Sequence, residues 1–349
     1  MMRSFGLLTD GRSIEAITLG DDSGLQVEVL TYGAILHRLT YPVRGVRRDL
    51  ILHFDRLQDY ERDRAYVGSL VGRFGNRIGG SRFELDGRIH HVTANEGVNH
   101  LHGGELGFGK RLWRVLEVTG EAGHRVVLGL RSPDGEEGYP GTVDATVELT
   151  VKRDALAIAL SARSDAPTPV NLTYHPYFNL AGDFNTPAVE QFLRIPARHY
   201  LPVVSGLIPT GEIAPVDGTT FDFRASRRLC PPVLPSHPQL ELAGGYDHCW
   251  VLAPEADCAC ELASPNRDVT LTMSGGPGLQ FYNGQFLARA HPSLGSGVIL
   301  EPQGFPNAVN EPRFPPAILR PGEIYRADIE YRLNGAPEPC NDAASSSTA

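Results

Sequence analysis

The chain has 349 residues, room for one large domain or two ordinary ones, and its 41% hydrophobic and 21% charged residues are those of a globular protein. Its 38 glycines and 27 prolines suit many turns between short strands better than long helices. A formal net charge of −9, from 41 acidic and 32 basic residues with no Lys/Arg run of five, argues against nucleic acid or an anionic membrane as the main partner.

At the N-terminus "MMRSFGLLTDGRS" has no apolar stretch before its charges, and no segment approaches 18 uncharged apolar residues. The five cysteines (Cys230, Cys249, Cys258, Cys260 and Cys340) are an odd number without C-x-x-C spacing. Reduced thiols in the cytoplasm are therefore expected, and the formal glycosylation sequon at Asn171 is expected to be coincidental. Residues 56–66, "RLQDYERDRAY", make the only plausible early helix, and no strand-helix-strand repeat follows it. "RFELDGRIHHV" predicts a hairpin turning at Asp86-Gly87. In "VDATVELTV" Val143, Ala145, Val147, Leu149 and Val151 face one way and the polar residues the other, so the strand is half buried; "LAIAL" returns beside it after "KRDA". "RRLCPPVLPSHPQLEL", residues 227–242, reads as a long surface loop. "YRADIEYRL" alternates again, and residues 335–349 have the composition of a disordered tail. Strands thus span the chain without a linker, which predicts one antiparallel all-β domain over residues 1–334.

Polar clusters interrupt this pattern. They are "GRFGNRIGG" with Arg73, Asn76 and Arg77; "NHLHGGELGFGK" with His100 and His102; "NLTYHPYFNL" with His175; "GGYDHCW" with Asp247 and His248; and "LEPQGFPNAVNEPRFPP" with Glu301. None is a phosphate loop, a G-x-S-x-G elbow or a G-x-G-x-x-G turn, so ATP, NAD and serine-hydrolase chemistry lose support. "HLH" followed by Glu105 suggests a cupin-like metal set, but only two glycines separate His102 from the carboxylate, too few for that pattern. His100 is assigned to structure. His102 suits a tight turn, where glycine permits close backbone approach, as well as a site.

Taken together, "VGRFGNRI", "NHLHGG", "SPDGEEGYPG", "NLTYHPYFNL", "LIPTGEIAPV", "GYDH", "GLQFYNGQF" and "LEPQGFPNAVNEPRFPPAILRPGE" resemble, in order and spacing, the aldose 1-epimerase (galactose mutarotase) family from about residue 20 to 333. The resemblance implies a large antiparallel β-sandwich of the galactose mutarotase type. It also implies interconversion of the α and β anomers of free aldoses such as D-galactose and D-glucose, with no metal or organic cofactor, in a monomer or homodimer. By the same resemblance Glu301 is the general base and His175 the general acid, while Asn76, Arg77, His102, Tyr177, Asp247 and Gln280 bind the sugar. Tyr174 and Pro176 stand where several relatives have Asn and Ser, and "EPQGFPNA" lacks the Trp found before the Pro in some; these reshape the pocket edge and remove no catalytic group.

The residues themselves fit that chemistry. Opening a pyranose needs a base at the anomeric hydroxyl and an acid at the ring oxygen. Arg77 offers a fork of N–H donors and Asp247 a double acceptor for a diol. Pro176 restricts His175 to extended backbone, and Tyr174, Tyr177 and Phe178 are expected to wall the pocket. Two alternatives remain open: a non-catalytic carbohydrate-binding protein, and a hexose-6-phosphate 1-epimerase on the same fold, for which Arg73 is the available phosphate partner.

Overall fold

The alternation of apolar and polar residues needs a partner for each apolar face, and three sheets supply it. A computed structural model of the protein describes residues 1–120, 124–229 and 237–335. Strands Met2–Leu7, Ser13–Gly20, Gln26–Leu30, Leu36–Val43 and Val46–Asp49 pair in chain order as a five-stranded meander. A nine-stranded sheet has Val143–Lys152, Ala155–Ser164, Tyr325–Gly335 and Val269–Ser274 side by side at its centre. A six-stranded sheet is built around Tyr177–Phe178, Val298–Gln303, Gly278–Tyr282 and Asp247–Val251, in that spatial order. Among the described residues, every ladder between these strands is antiparallel.

One hydrophobic cluster joins the three sheets: Ile17, Leu19 and Val27 from the first, Val147, Leu149, Ile158 and Tyr331 from the second, and Trp250, Phe281 and Leu300 from the third. This is sheet-on-sheet packing, an antiparallel β-sandwich. The strand at 143–152 buries Val143, Ala145, Val147, Leu149 and Val151 and turns Asp144 outward, as its period requires. The hairpin at 82–91 turns on Asp86 and Gly87, both at positive φ, the conformation an Asp-Gly pair adopts most readily.

Local signals account for the differences from expectation. Residues 57–62 are helical as expected. The segment read as a surface loop contains a helix, Pro238–Ala243: His237 accepts from the Gln239 N–H, Pro238 opens the first turn and Gly244 stops it at φ 68°. Residues 230–236 of that segment, the tail from 336 onward, Cys230 and Cys340 lie outside the described residues; Gly335 closes the last strand. Cys249, Cys258 and Cys260 are buried free thiols. Asn171 is buried, its amide donating to the Gly75 carbonyl at 3.0 Å, so the sequon side chain is in use by the fold. No helix among the described residues is long and apolar enough to cross a membrane.

Leu149→Ala is expected to cost about 2–5 kcal/mol, because Leu149 is wholly buried between sheets. Thr150→Ala, one residue on and facing away, should stay within about 0.5 kcal/mol. Urea denaturation of both variants checks the assignment of faces; equal losses would contradict it.

Candidate active site

Period-two geometry decides which residues of the six-stranded sheet reach the site. Residues paired across antiparallel strands point to the same face. Cys249 lies opposite Gln280, and Gln280 opposite Glu301; two residues along, on the same face, Asp247 lies opposite Tyr282, Tyr282 opposite Ile299, and Ile299 opposite Tyr177. Asp247, Gln280, Glu301 and Tyr177 therefore share a face. Their neighbours in sequence, His248, Phe281, Leu300 and Phe178, take the other one, and the last three join the main core.

The remaining groups come from loops. His175 is held on both sides by backbone bonds, its N–H to the Ser69 carbonyl at 3.0 Å and its carbonyl accepting from Gly68 N–H at 3.0 Å. His102 has φ 52° and exchanges bonds with Asn76: its N–H donates to the Asn76 carbonyl, and its Nδ1 accepts from the Asn76 N–H, both at 3.1 Å. The next residue, Gly103, has φ 87°, and a β-carbon there would run into the Gly72 carbonyl. Asn76 turns its Oδ1 back to the Arg77 N–H at 2.9 Å.

These elements enclose a cavity of about 230 Å³ lined by Asn76, Arg77, His102, His175, Tyr177, Asp247 and Glu301, seven of the eight residues singled out in the sequence. The eighth, Gln280, supports the wall from behind, donating to Asp247 Oδ1 at 2.6 Å. Roughly 300–1,000 Å³ is usual for drug-sized ligands, so this volume suits one monosaccharide.

Other expectations change. Tyr174 is fully buried, its hydroxyl donating to the Ala34 carbonyl at 2.9 Å, and Phe178 packs against Tyr331; both serve the core, and only Tyr177 of the three walls the cavity. His248 is also buried, accepting from the Asp247 N–H. His100 is structural, bonded to the Thr93 carbonyl and the Tyr139 hydroxyl. Arg73 lies away from the cavity, donating to the carbonyls of Pro133, Pro140 and Gly141, so the phosphate reading loses its cation. Three further lining residues, unmarked in the sequence, shape the site. Tyr66 stands edge-on to His102 and His175, with ring centroids 4.7 and 5.8 Å away; Glu96 grips Arg77; and Phe286 is half exposed at the rim.

The aldose 1-epimerase family profile matches residues 15–332. The chain is 39% identical to human galactose mutarotase, over 95% of this chain and 98% of the relative, and 35% identical to aldose 1-epimerase of Escherichia coli, over 94% and 97%. Its fold is similar to that of galactose 1-epimerase from Lactobacillus acidophilus, with a TM-score of 0.83 at 28% identity, covering 97% of this chain and 99% of the other. An aldose epimerase homologue from C. elegans aligns with a TM-score of 0.82 at 30% identity, covering 92% and 99%. The chain belongs to the aldose 1-epimerase family.

In this family member burial controls the charges. Burial, reinforced by Asp247 and opposed by Arg77, holds the Glu301 carboxyl well above its ordinary range. Its Oε1 has no hydrogen-bond partner. Burial lowers His175 to about 4, with Asp63 pulling the other way, and drives His102 well below its usual value, helped by His175 and Arg77. Burial thus pushes Glu301 toward its protonated form and both imidazoles toward their neutral form. Arg77 behaves differently: burial works against its charge, but Asp247 and Glu96 outweigh that and leave it above its ordinary value.

One donor atom each from His102, His175 and Glu301 lies within 4.8 Å of the other two. A tetrahedral zinc with bonds of about 2.0–2.2 Å keeps its donors roughly 3.3 Å apart.

The sign of the Glu301 shift gives a test. A carboxyl whose folded value is raised keeps its proton when the unfolded chain has lost it, so its contribution is intact below the unfolded value and is lost as pH rises toward the folded one. Glu301→Gln carries no such penalty. The stability gain of this variant over wild type is expected to grow as pH rises from 5 to 8 in urea denaturation; a difference that stays flat across that range would show that Glu301 is buried as an anion.

Proposed function

We propose that the protein interconverts the α and β anomers of a free aldose such as galactose or glucose, using Glu301 and His175 as a pair that moves one proton each way. The observation that carries this reading is the convergence of a buried carboxyl, one oxygen of which no protein donor reaches, with a buried imidazole in a monosaccharide-sized cavity. Family membership supports the reaction class.

The chemistry balances without a covalent intermediate. In the ionised form of the pair, the Glu301 carboxylate takes the proton of the anomeric hydroxyl while the His175 imidazolium gives one to the ring oxygen, and the C1–O5 bond breaks. The products are an open-chain aldehyde, a protonated Glu301 and a neutral His175. Rotation about C1–C2 presents the other aldehyde face. On closure His175 recovers the proton of the C5 hydroxyl and Glu301 returns its own to the carbonyl oxygen, giving the second anomer.

The resting protonation favoured by burial is the one this scheme has at the open-chain stage. Entry of a cyclic sugar brings hydroxyl dipoles that stabilise the ionised pair, so the proton moves from Glu301 to His175 before ring opening; Asp63 favours the imidazolium. Asp247 and Arg77 hold the sugar's hydroxyls, and Tyr66 and Tyr177 exclude water from the two histidines.

Polarimetry of freshly dissolved α-D-galactose and α-D-glucose measures the reaction directly. Glu301→Gln and His175→Asn are each expected to lower kcat by about 10²-fold or more with the fold intact. Binding of galactose without acceleration by wild type would favour a carbohydrate-binding protein instead.

A further inference from the structure

Arg77 is the one buried cation among the described residues lining the cavity; Arg64 stands exposed at the rim. A guanidinium fork in such a place is the natural seat for a carboxylate or phosphate on a ligand. Here the seat is taken. Arg77 Nε donates to Glu96 Oε2 at 2.7 Å and Nη2 to Oε1 at 2.8 Å, a two-point pair. Glu96 is itself fixed, because its backbone exchanges N–H and C=O bonds with Asn99, each at 3.0 Å.

Asp247 is placed differently around the same cation. Its Oδ2 is 3.4 Å from both Nη atoms, longer than a strong charge-assisted bond. The oxygen therefore keeps capacity to accept from a sugar hydroxyl. A neutral diol entering the cavity finds an acceptor and a positioned guanidinium. An anionic substituent finds the fork occupied and two carboxylates close by, and like charges in a site of reduced dielectric repel.

We propose that Glu96 is a specificity-determining residue: by occupying the fork of Arg77 it confines the site to uncharged aldoses and turns away sugars bearing a carboxylate or phosphate. The inference rests on the reading of this cavity as the sugar site. It concerns selection among sugars, where the pairing of Arg77 decides, and leaves the proton-transfer pair untouched.

D-Galactose and D-galacturonate differ by a carboxylate in place of the C6 hydroxymethyl, and calorimetric binding together with polarimetric kcat/KM for both tests the idea in wild type, Glu96→Gln and Glu96→Ala. Wild type is expected to prefer galactose. In both variants that preference should fall by about tenfold or more, the scale of one freed charged hydrogen bond, with unchanged circular dichroism. A galactose response in wild type with the same galactose-to-galacturonate ratio in all three proteins would overturn the inference alone, since a supporting role for Glu96 lowers both sugars equally. No response of wild type to galactose in either measurement would remove the sugar-site reading and this inference with it.

Discussion

A carboxyl group held on a sheet face with one oxygen lacking a hydrogen bond is the constraint around which this structure is arranged. Glu301 is 2% exposed and one of its oxygens is reached by no protein donor, so burial disfavours its charged form. The surrounding sheet tolerates this because its other face is packed: Trp250, Phe281 and Leu300, from three adjacent strands, join the core that ties the three sheets together. Rigidity on one face allows an unfavourable polar group on the other. The same register that buries Leu300 directs Glu301 toward the cavity, so the core and the site are specified by one alternation.

The loops complete what the sheet begins, and each is fastened by a specific polar contact. Asp63 accepts from the Ala65 and Val67 N–H groups at 2.7 and 2.8 Å and from His291 Nε2 at 2.8 Å. It thereby fixes the turn that presents Tyr66, and it adds a negative charge on the side of His175. Lys110 draws the Tyr60 and Asp63 carbonyls together at 2.7 and 2.6 Å. Across the cavity, Gln280 holds one oxygen of Asp247 and Arg77 approaches the other. The two ends of the pocket are thus electrostatically distinct: a buried carboxyl beside two buried imidazoles at one, and two carboxylates around Arg77 at the other.

Strand elements were legible wherever one face is buried. The segments 143–151 and 325–333 alternate because water lies on one side and core on the other, and the Asp86-Gly87 turn announces itself through φ preference. Position within the site was less legible. Tyr174 and Phe178 flank Tyr177 in sequence and were expected beside it, but pleating sends Phe178 to the opposite face, and Tyr174 belongs to a separate short strand paired with Leu70. Arg73 and Arg77 look equivalent in "GRFGNRI"; only the fold shows that one organises the loop at 133–141 while the other enters the cavity. Glu96 and Tyr66 had no motif to mark them. For Glu96 the available signal was an acid in the loop next to "NHLHGG", close in sequence to a candidate arginine. The helix at 238–243 lies in a Pro-rich stretch that reads as a surface loop, although Pro238 sits at a first-turn position where proline favours a helix.

We propose that Glu301 carries the proton of the pair at neutral pH, with His175 neutral beside it, because burial opposes charge on both. Difference infrared spectroscopy of wild type minus Glu301→Gln at neutral pH reads this directly. The account predicts the C=O stretch of a protonated carboxylic acid, present in wild type and absent from the variant. The paired stretches of an ionised carboxylate in its place would contradict it, and would mean that the site rests as an anion awaiting its sugar.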